Sequence, residues 1–146
     1  MQRQANTDVQ SFVVFVDRCL GRTDVANVLR AAGVQVEIHD DHFDHKCADE
    51  TWLPQVGARE WIVLTKDKYI RRRPHERRVL EDARVAAFVL TAGRMRGPEM
   101  AEAFRIALSG IRRIAATHTR PLIALVDRRG GVRVLVGERK GGVRRD

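Results

Sequence analysis

Trp61-Ile62-Val63-Leu64-Thr65-Lys66-Asp67 is an apolar run that ends in an acid. Phe12-Val13-Val14-Phe15-Val16-Asp17 has the same form near the amino terminus. Neither run alternates polar with apolar residues. Both therefore read as strands covered on two faces, as in a parallel sheet sandwiched between helices. Parallel strands point one way, so acids at their carboxyl ends converge on one edge, where open α/β sheets place their ligands. Converging carboxylates repel and raise one another's pKa unless a cation sits among them. The expected cation is a hard divalent ion with oxygen ligands.

Working outward, residues 24–32 carry Val25, Val28, Leu29 and Ala32 on one helical face, with Gly33 placed to end the helix. Val34-Gln35-Val36-Glu37-Ile38 alternates and reads as a half-exposed strand. A polar loop is expected over residues 39–46, then a short helix over 49–56 with Asp49 as its N-cap. Beyond the Asp67 strand the spacing predicts a helix over 75–84 and a buried strand over 85–90. Gly97-Pro98-Glu99 opens the longest helix, whose buried stripe is Met100, Phe104, Leu108, Ile111 and Ala115. A fifth strand covers 122–126, and Gly130-Gly131 turns the chain back into a strand over 132–136. The fold class is thus α/β: a three-layer α/β/α sandwich with a mostly parallel central sheet and an antiparallel C-terminal edge strand. Residues 1–136 read as one domain. Residues 137–146, rich in Gly and Arg, read as a flexible basic tail.

The chain of 146 residues is long enough for a substantial core, and its 44% hydrophobic and 32% charged content is that of a soluble globular protein. A net charge of +8 favours a negatively charged partner, most commonly nucleic acid. No stretch approaches the ~20 apolar residues of a membrane span. The first residues are polar, with no signal-peptide core behind them. The two cysteines, Cys19 and Cys47, form no CxxC pair, which suits a reducing cytoplasm.

A metal site needs a third acid, and Asp49 or Glu50 can be aimed inward from a helix start. The strand ending in Asp17, the Asp49-x-x-Trp52 helix start and Leu64-Thr65-Lys66-Asp67 together resemble the PIN-domain nucleases. The match is to the compact PIN-like branch that includes VapC-type toxins. The resemblance implies that Asp17, Asp49 and Asp67 are catalytic carboxylates binding Mg²⁺ or Mn²⁺, with Thr65 as a supporting hydroxyl. It implies a metal-dependent endoribonuclease, the toxin of a bacterial toxin–antitoxin pair. RNA and a cognate antitoxin protein are then the partners, with a homodimer left open and no membrane. One departure stands out: the fourth acid that many PIN domains carry just after the third is replaced here by Tyr69, Ile70 and Arg71. Asp40 or Asp41 could stand in for it.

The basic stretch beside Asp67, with Lys66, Lys68, Arg71, Arg72 and Arg73, reads as an RNA-phosphate track or as a solvated charged face. His39, His42, His45 and Cys47 make only half of a zinc pattern. A polar loop over the acidic edge fits them better, with His42 or His45 near RNA. Trp52 and Trp61 are expected in the core. Two rival classes remain. A phosphoacceptor receiver would need a lysine where Val126-Asp127-Arg128 stands. A non-catalytic nucleic-acid- or protein-binding PIN-like module would have no reason to keep three mutually repelling acids.

Overall fold

The computed structural model describes residues 12–141, the side chains of Tyr69 and Arg71 excepted. Six strands form one sheet: β1 (Val13–Val16), β2 (Gln35–Ile38), β3 (Ile62–Thr65), β4 (Ala86–Leu90), β5 (Leu122–Val126) and β6 (Val132–Val136). Their order is β2-β1-β3-β4-β5-β6. Every pair is parallel except β5 with β6. From β1 the chain passes to β2 on one side and returns to β3 on the other. The direction of winding therefore reverses between β1 and β3, and ligand crevices of such sheets lie outside the carboxyl ends at that point.

The helices are α1 (Asp24–Ala31), α2 (His39–His42), α3 (Asp49–Ala58), α4 (Tyr69–Arg72), α5 (Pro74–Asp82) and α6 (Gly97–Thr117). Alternation along the strands sorts the core into two halves. Val14, Val16, Leu64 and Phe88 face α1 and α6; Phe15, Val63, Ala87 and Val89 face α3, α4 and α5. Fully apolar strands are thus covered on both sides, which gives the three-layer α/β/α sandwich expected. The 21-residue α6 buries Met100, Ala103, Phe104, Ala107, Leu108 and Ile111, each large side chain contributing about 1.5–3 kcal/mol. The predicted stripe includes four of the larger ones; Ala115 is only half-buried.

Three local readings need correction. Asp49 is the first residue of α3, not its cap; Ala48 stands at the cap without a side-chain bond, because the Asp49 carboxylate faces the indole of Trp52. The stretch after β2 is not a polar loop at its start. His39–His42 forms a helical turn, and His39 is buried with its ring 5.6 Å from Trp52 and edge-on to it. Histidine carries an apolar ring as well as a titratable nitrogen, and here aromatic neighbours claim the ring. Trp52 is buried as expected, but Trp61 is only half-buried.

At the other end, Asp127 accepts from the Arg129 and Gly131 amides and closes the β5–β6 turn. Past β6, Glu138 O accepts from Thr119 N at 2.8 Å and Lys140 N donates to Thr117 O at 2.7 Å. The stretch read as a tail is therefore held against the fold as far as Lys140, while residues 142–146 lie outside the described residues. Among the described residues no helix is long and apolar enough to cross a membrane.

Gly57 fixes how closely α3 approaches the end of α5. A Cβ there would collide with the Ala83 carbonyl oxygen and come within 3.2 Å of Val85 Cγ2. Alanine gains about 1 kcal/mol of helix propensity over glycine, but overpacking a backbone carbonyl costs about 1–3 kcal/mol. Gly57→Ala is therefore expected to lower the urea unfolding midpoint. A raised midpoint would show that the two helices separate freely.

Candidate active site at the carboxyl edge

Asp17 follows β1 directly, and its backbone N–H donates to Leu64 O at 3.0 Å, carrying the β1–β3 ladder one residue past the strands. Its side chain is buried, with 7% of its surface exposed. The Thr65 hydroxyl donates to Asp17 Oδ2 at 2.7 Å, and the Cys19 thiol reaches the same oxygen at 3.4 Å. Burial pushes the Asp17 carboxyl above its ordinary value, against the opposing pull of Thr65, Cys19, the Arg18 amide and His39. Thr65 works in two directions: its oxygen also accepts the Asp67 backbone N–H at 3.0 Å. The Lys66 amide donates to Cys19 Sγ at 3.3 Å. The turn after β3 is thereby fastened to the turn after β1.

Asp49 reaches this edge from the start of α3. Its Oδ1 accepts the Trp52 indole N–H at 3.0 Å, and Trp52 is locked against Phe15, 5.2 Å away between ring centroids. The Asp49 carboxyl is pushed up to about 6, by burial first, then by the charges of Asp17 and Asp67, with Glu76 adding to them. The charges of three acids from three other segments thus bear on Asp49 here. Glu50, the alternative third acid, is exposed and paired with His75 Nε2 at 3.0 Å instead. Asp40 is held near Arg18 and Arg22, at 3.7 and 3.5 Å, and Asp41 is exposed. His42 bonds Glu37 Oε1 at 2.7 Å.

Two members were not foreseen. Glu76 lies in the first turn of α5 behind Pro74. An acid there reads locally as a complement to the helix dipole, and only the packing of α5 on α3 brings it to Asp49. Cys19 showed no signal beyond lacking a partner. Its sulfur sits between Asp17, Thr65 and the Lys66 amide, and burial followed by the Asp17 charge pushes it up to about 12. It stays a neutral thiol.

The basic stretch leaves β3 at the same edge. Lys66 is half-buried, and Lys68, Arg72 and Arg73 are exposed. Arg73 Nη1 stands 4.0 Å from Glu76 Oε2. The Arg71 side chain lies outside what is described.

The donor set suits a hard cation: carboxylates and a hydroxyl, with the one nearby sulfur protonated. Among the described residues no three His, Cys, Asp or Glu side chains are grouped to hold an ion directly. A cation held by these acids would have to keep much of its water, as Mg²⁺ does.

A doubly covered parallel sheet with acids gathered at its switch point is the architecture of PIN-like nucleases. The chain matches the family described as PIN like domain over residues 12–92, β1 through β4, and belongs to it. It is similar to VapC45 of Mycobacterium tuberculosis (strain H37Rv), which carries a provisional ribonuclease name. The two are 32% identical over 126 residues, covering 84% of this chain and 91% of that protein. No solved structure matches the chain.

A carboxyl raised in the folded state weakens stability where it is charged, and that loss is relieved as pH falls through about 6 toward the ordinary value of 3.8. Asp49→Asn keeps the oxygen that accepts from Trp52 and removes the charge. In chelator, Asp49→Asn is expected to melt above the wild type at pH 8, with the gap closing toward pH 4.5. Melting curves against pH check this; a variant that melts lower throughout would contradict the crowding of charge.

Proposed function

We propose that this chain is a metal-dependent endoribonuclease and the toxin of a toxin–antitoxin pair. The observation that carries the reading is the raised Asp49 carboxyl, which feels Asp17 and Asp67 together at the switch point. Like charges crowded together destabilise a fold, and such perturbed groups mark functional sites. Similarity to VapC45 supports RNA as the substrate.

In this reading Asp17, Asp49 and Asp67 hold Mg²⁺ or Mn²⁺. When bound, the ion supplies an activated water and neutralises charge developing on the phosphodiester. Thr65 holds Asp17 in one orientation and fixes the turn that carries Asp67. Glu76 adds negative field from α5. Lys66, Lys68, Arg71, Arg72 and Arg73 follow β3 and take the RNA phosphates on either side of the scissile bond. A ribonuclease of this kind harms its own cytoplasm, so a cognate antitoxin protein restrains it. The acidic edge offers that protein a place for an arginine fork.

Carboxylates sharing one ion act as a unit. Asp17→Asn and Asp67→Asn are each expected to cut Mn²⁺-dependent cleavage of single-stranded RNA by about a hundredfold or more. Both should keep RNA binding. Arg72→Ala with Arg73→Ala should instead weaken binding and flatten its log–log salt slope by roughly 0.7 for each phosphate no longer held. Cleavage by purified variants, with binding read by fluorescence anisotropy, decides it. Full cleavage by either aspartate variant would overturn the site.

A further inference from the structure

The amino edge of the sheet, opposite the acids, holds a polar cavity. It encloses about 550 Å³ between the carboxyl ends of α3, α5 and α6. Five charged side chains line it: Glu60, Asp82, Arg84, Arg120 and Lys140. Among the described residues none of the five has an ion-pair partner within 4.0 Å, although the Glu60 charge acts on Arg120 across the cavity. Arg120 is half-buried, and its guanidinium makes one long bond, from Nη1–H to Trp61 O at 3.5 Å. A half-buried guanidinium with most of its donors unused is a poor structural element and a good anion receptor.

The backbone points the same way. Among the described residues, Glu60 and Arg84 are the two non-glycine residues with left-handed conformations, at φ 60° and 55°. Each sits just past the end of a helix, α3 and α5 respectively, where glycine is the usual residue because it has no Cβ to strain. The turns do not need these side chains. The final carbonyls of α3 are taken by the Glu60 and Trp61 amides, to Gly57 O at 2.9 Å and Val56 O at 3.3 Å. Those of α5 are taken by the Arg84 and Val85 amides, to Glu81 O at 3.0 Å and Leu80 O at 3.3 Å. Two strained positions thus keep a charged side chain, and both side chains line one cavity. Strain persists where the surroundings or a function hold it in place.

We infer that this cavity binds a nucleotide unit. Its phosphate meets Arg84, Arg120 and Lys140, and its amino or hydroxyl donors meet Glu60 and Asp82. Three cations against two carboxylates leave the lining one charge positive, set against the negative dipole ends of α3, α5 and α6, and the arginine fork matches phosphate oxygens. The carboxylates repel a bare anion, so the ligand carries hydrogen-bond donors as well. The volume lies within the roughly 300–1,000 Å³ of small-ligand sites. The source is either a free nucleotide or one residue of an RNA chain. The site stands apart from Asp17, Asp49 and Asp67, so it holds whether or not those acids cleave RNA.

The test is calorimetric titration of the full chain in EDTA, which prevents metal-dependent cleavage. The probes are the four nucleoside 5′-monophosphates, the matching nucleosides, inorganic phosphate and a single-stranded RNA hexamer. The variants are Arg84→Gly, Glu60→Gly and Arg120→Lys. At least one monophosphate, or the hexamer, is expected to bind the wild type and to lose about tenfold or more in affinity with Arg84→Gly. The melting temperature of Arg84→Gly and of Glu60→Gly should be unchanged or higher, because glycine relieves the turn. A loss seen with monophosphates assigns a free nucleotide; a loss seen with the hexamer alone assigns the RNA chain. The proposal is overturned if no probe binds at millimolar concentration. It is also overturned if inorganic phosphate binds as tightly as the nucleotides, or if all three variants bind like the wild type.

Discussion

The hydrogen bond from the Thr65 hydroxyl to Asp17 Oδ2, buried and 2.7 Å long, joins the carboxyl ends of β1 and β3. A bond to a charged acceptor contributes about 1.5–3 kcal/mol, and an unmet buried carboxylate costs more than that. This interaction is therefore what lets the chain keep a charge-bearing group at the end of an otherwise apolar strand. The Thr65 oxygen also receives the Asp67 amide, so the placement of Asp67 follows from the placement of Asp17. Cys19 closes the arrangement from the side, bridging Asp17 and the Lys66 amide. The turns after β1 and β3 hold together as one piece.

The two ends of the sheet differ in charge for a reason that lies in the helices. Asp49 and Glu76 both stand in first turns, of α3 and α5, where the positive end of the helix dipole offsets part of their mutual repulsion. The opposite edge collects the carboxyl ends of α3, α5 and α6, and there Arg84, Arg120 and Lys140 gather. One set of crossovers thus builds the acid cluster at one edge and the cluster of Arg84, Arg120 and Lys140, with Glu60 and Asp82 among them, at the other. Their separation along the strands keeps the carboxylates from being neutralised by those arginines.

Most of the sheet was legible in the sequence because unbroken apolar runs admit one reading. Val85 to Leu90 and Leu122 to Val126 are apolar throughout, and Gly130-Gly131 marks the one reversal. Asp17 and Asp67 could be placed at the carboxyl edge from their strand ends alone, whereas the choice of Asp49 over Glu50 and the role of Thr65 came only with the family resemblance. Glu76 was not legible, since it reaches Asp49 only through the packing of α5 on α3. The histidines after β2 misled for the opposite reason. Their spacing suggests a polar tract, yet His39 is buried among Phe15, Phe43 and Trp52. Glu60 and Arg84 look like ordinary surface charges in the chain, and only the backbone torsions set them apart.

The central claim is that the acids at the switch point form a site for a divalent cation. Anything that binds the folded state alone stabilises it in proportion to the logarithm of its concentration, about 2.7 kcal/mol at a hundred times the dissociation constant. Thermal unfolding of RNA-free protein against Mn²⁺ concentration measures this without any assumption about substrate. The account predicts a melting temperature that climbs with Mn²⁺ in the wild type and stays flat in Asp17→Asn. An equal climb in both proteins, or none in the wild type, would contradict it.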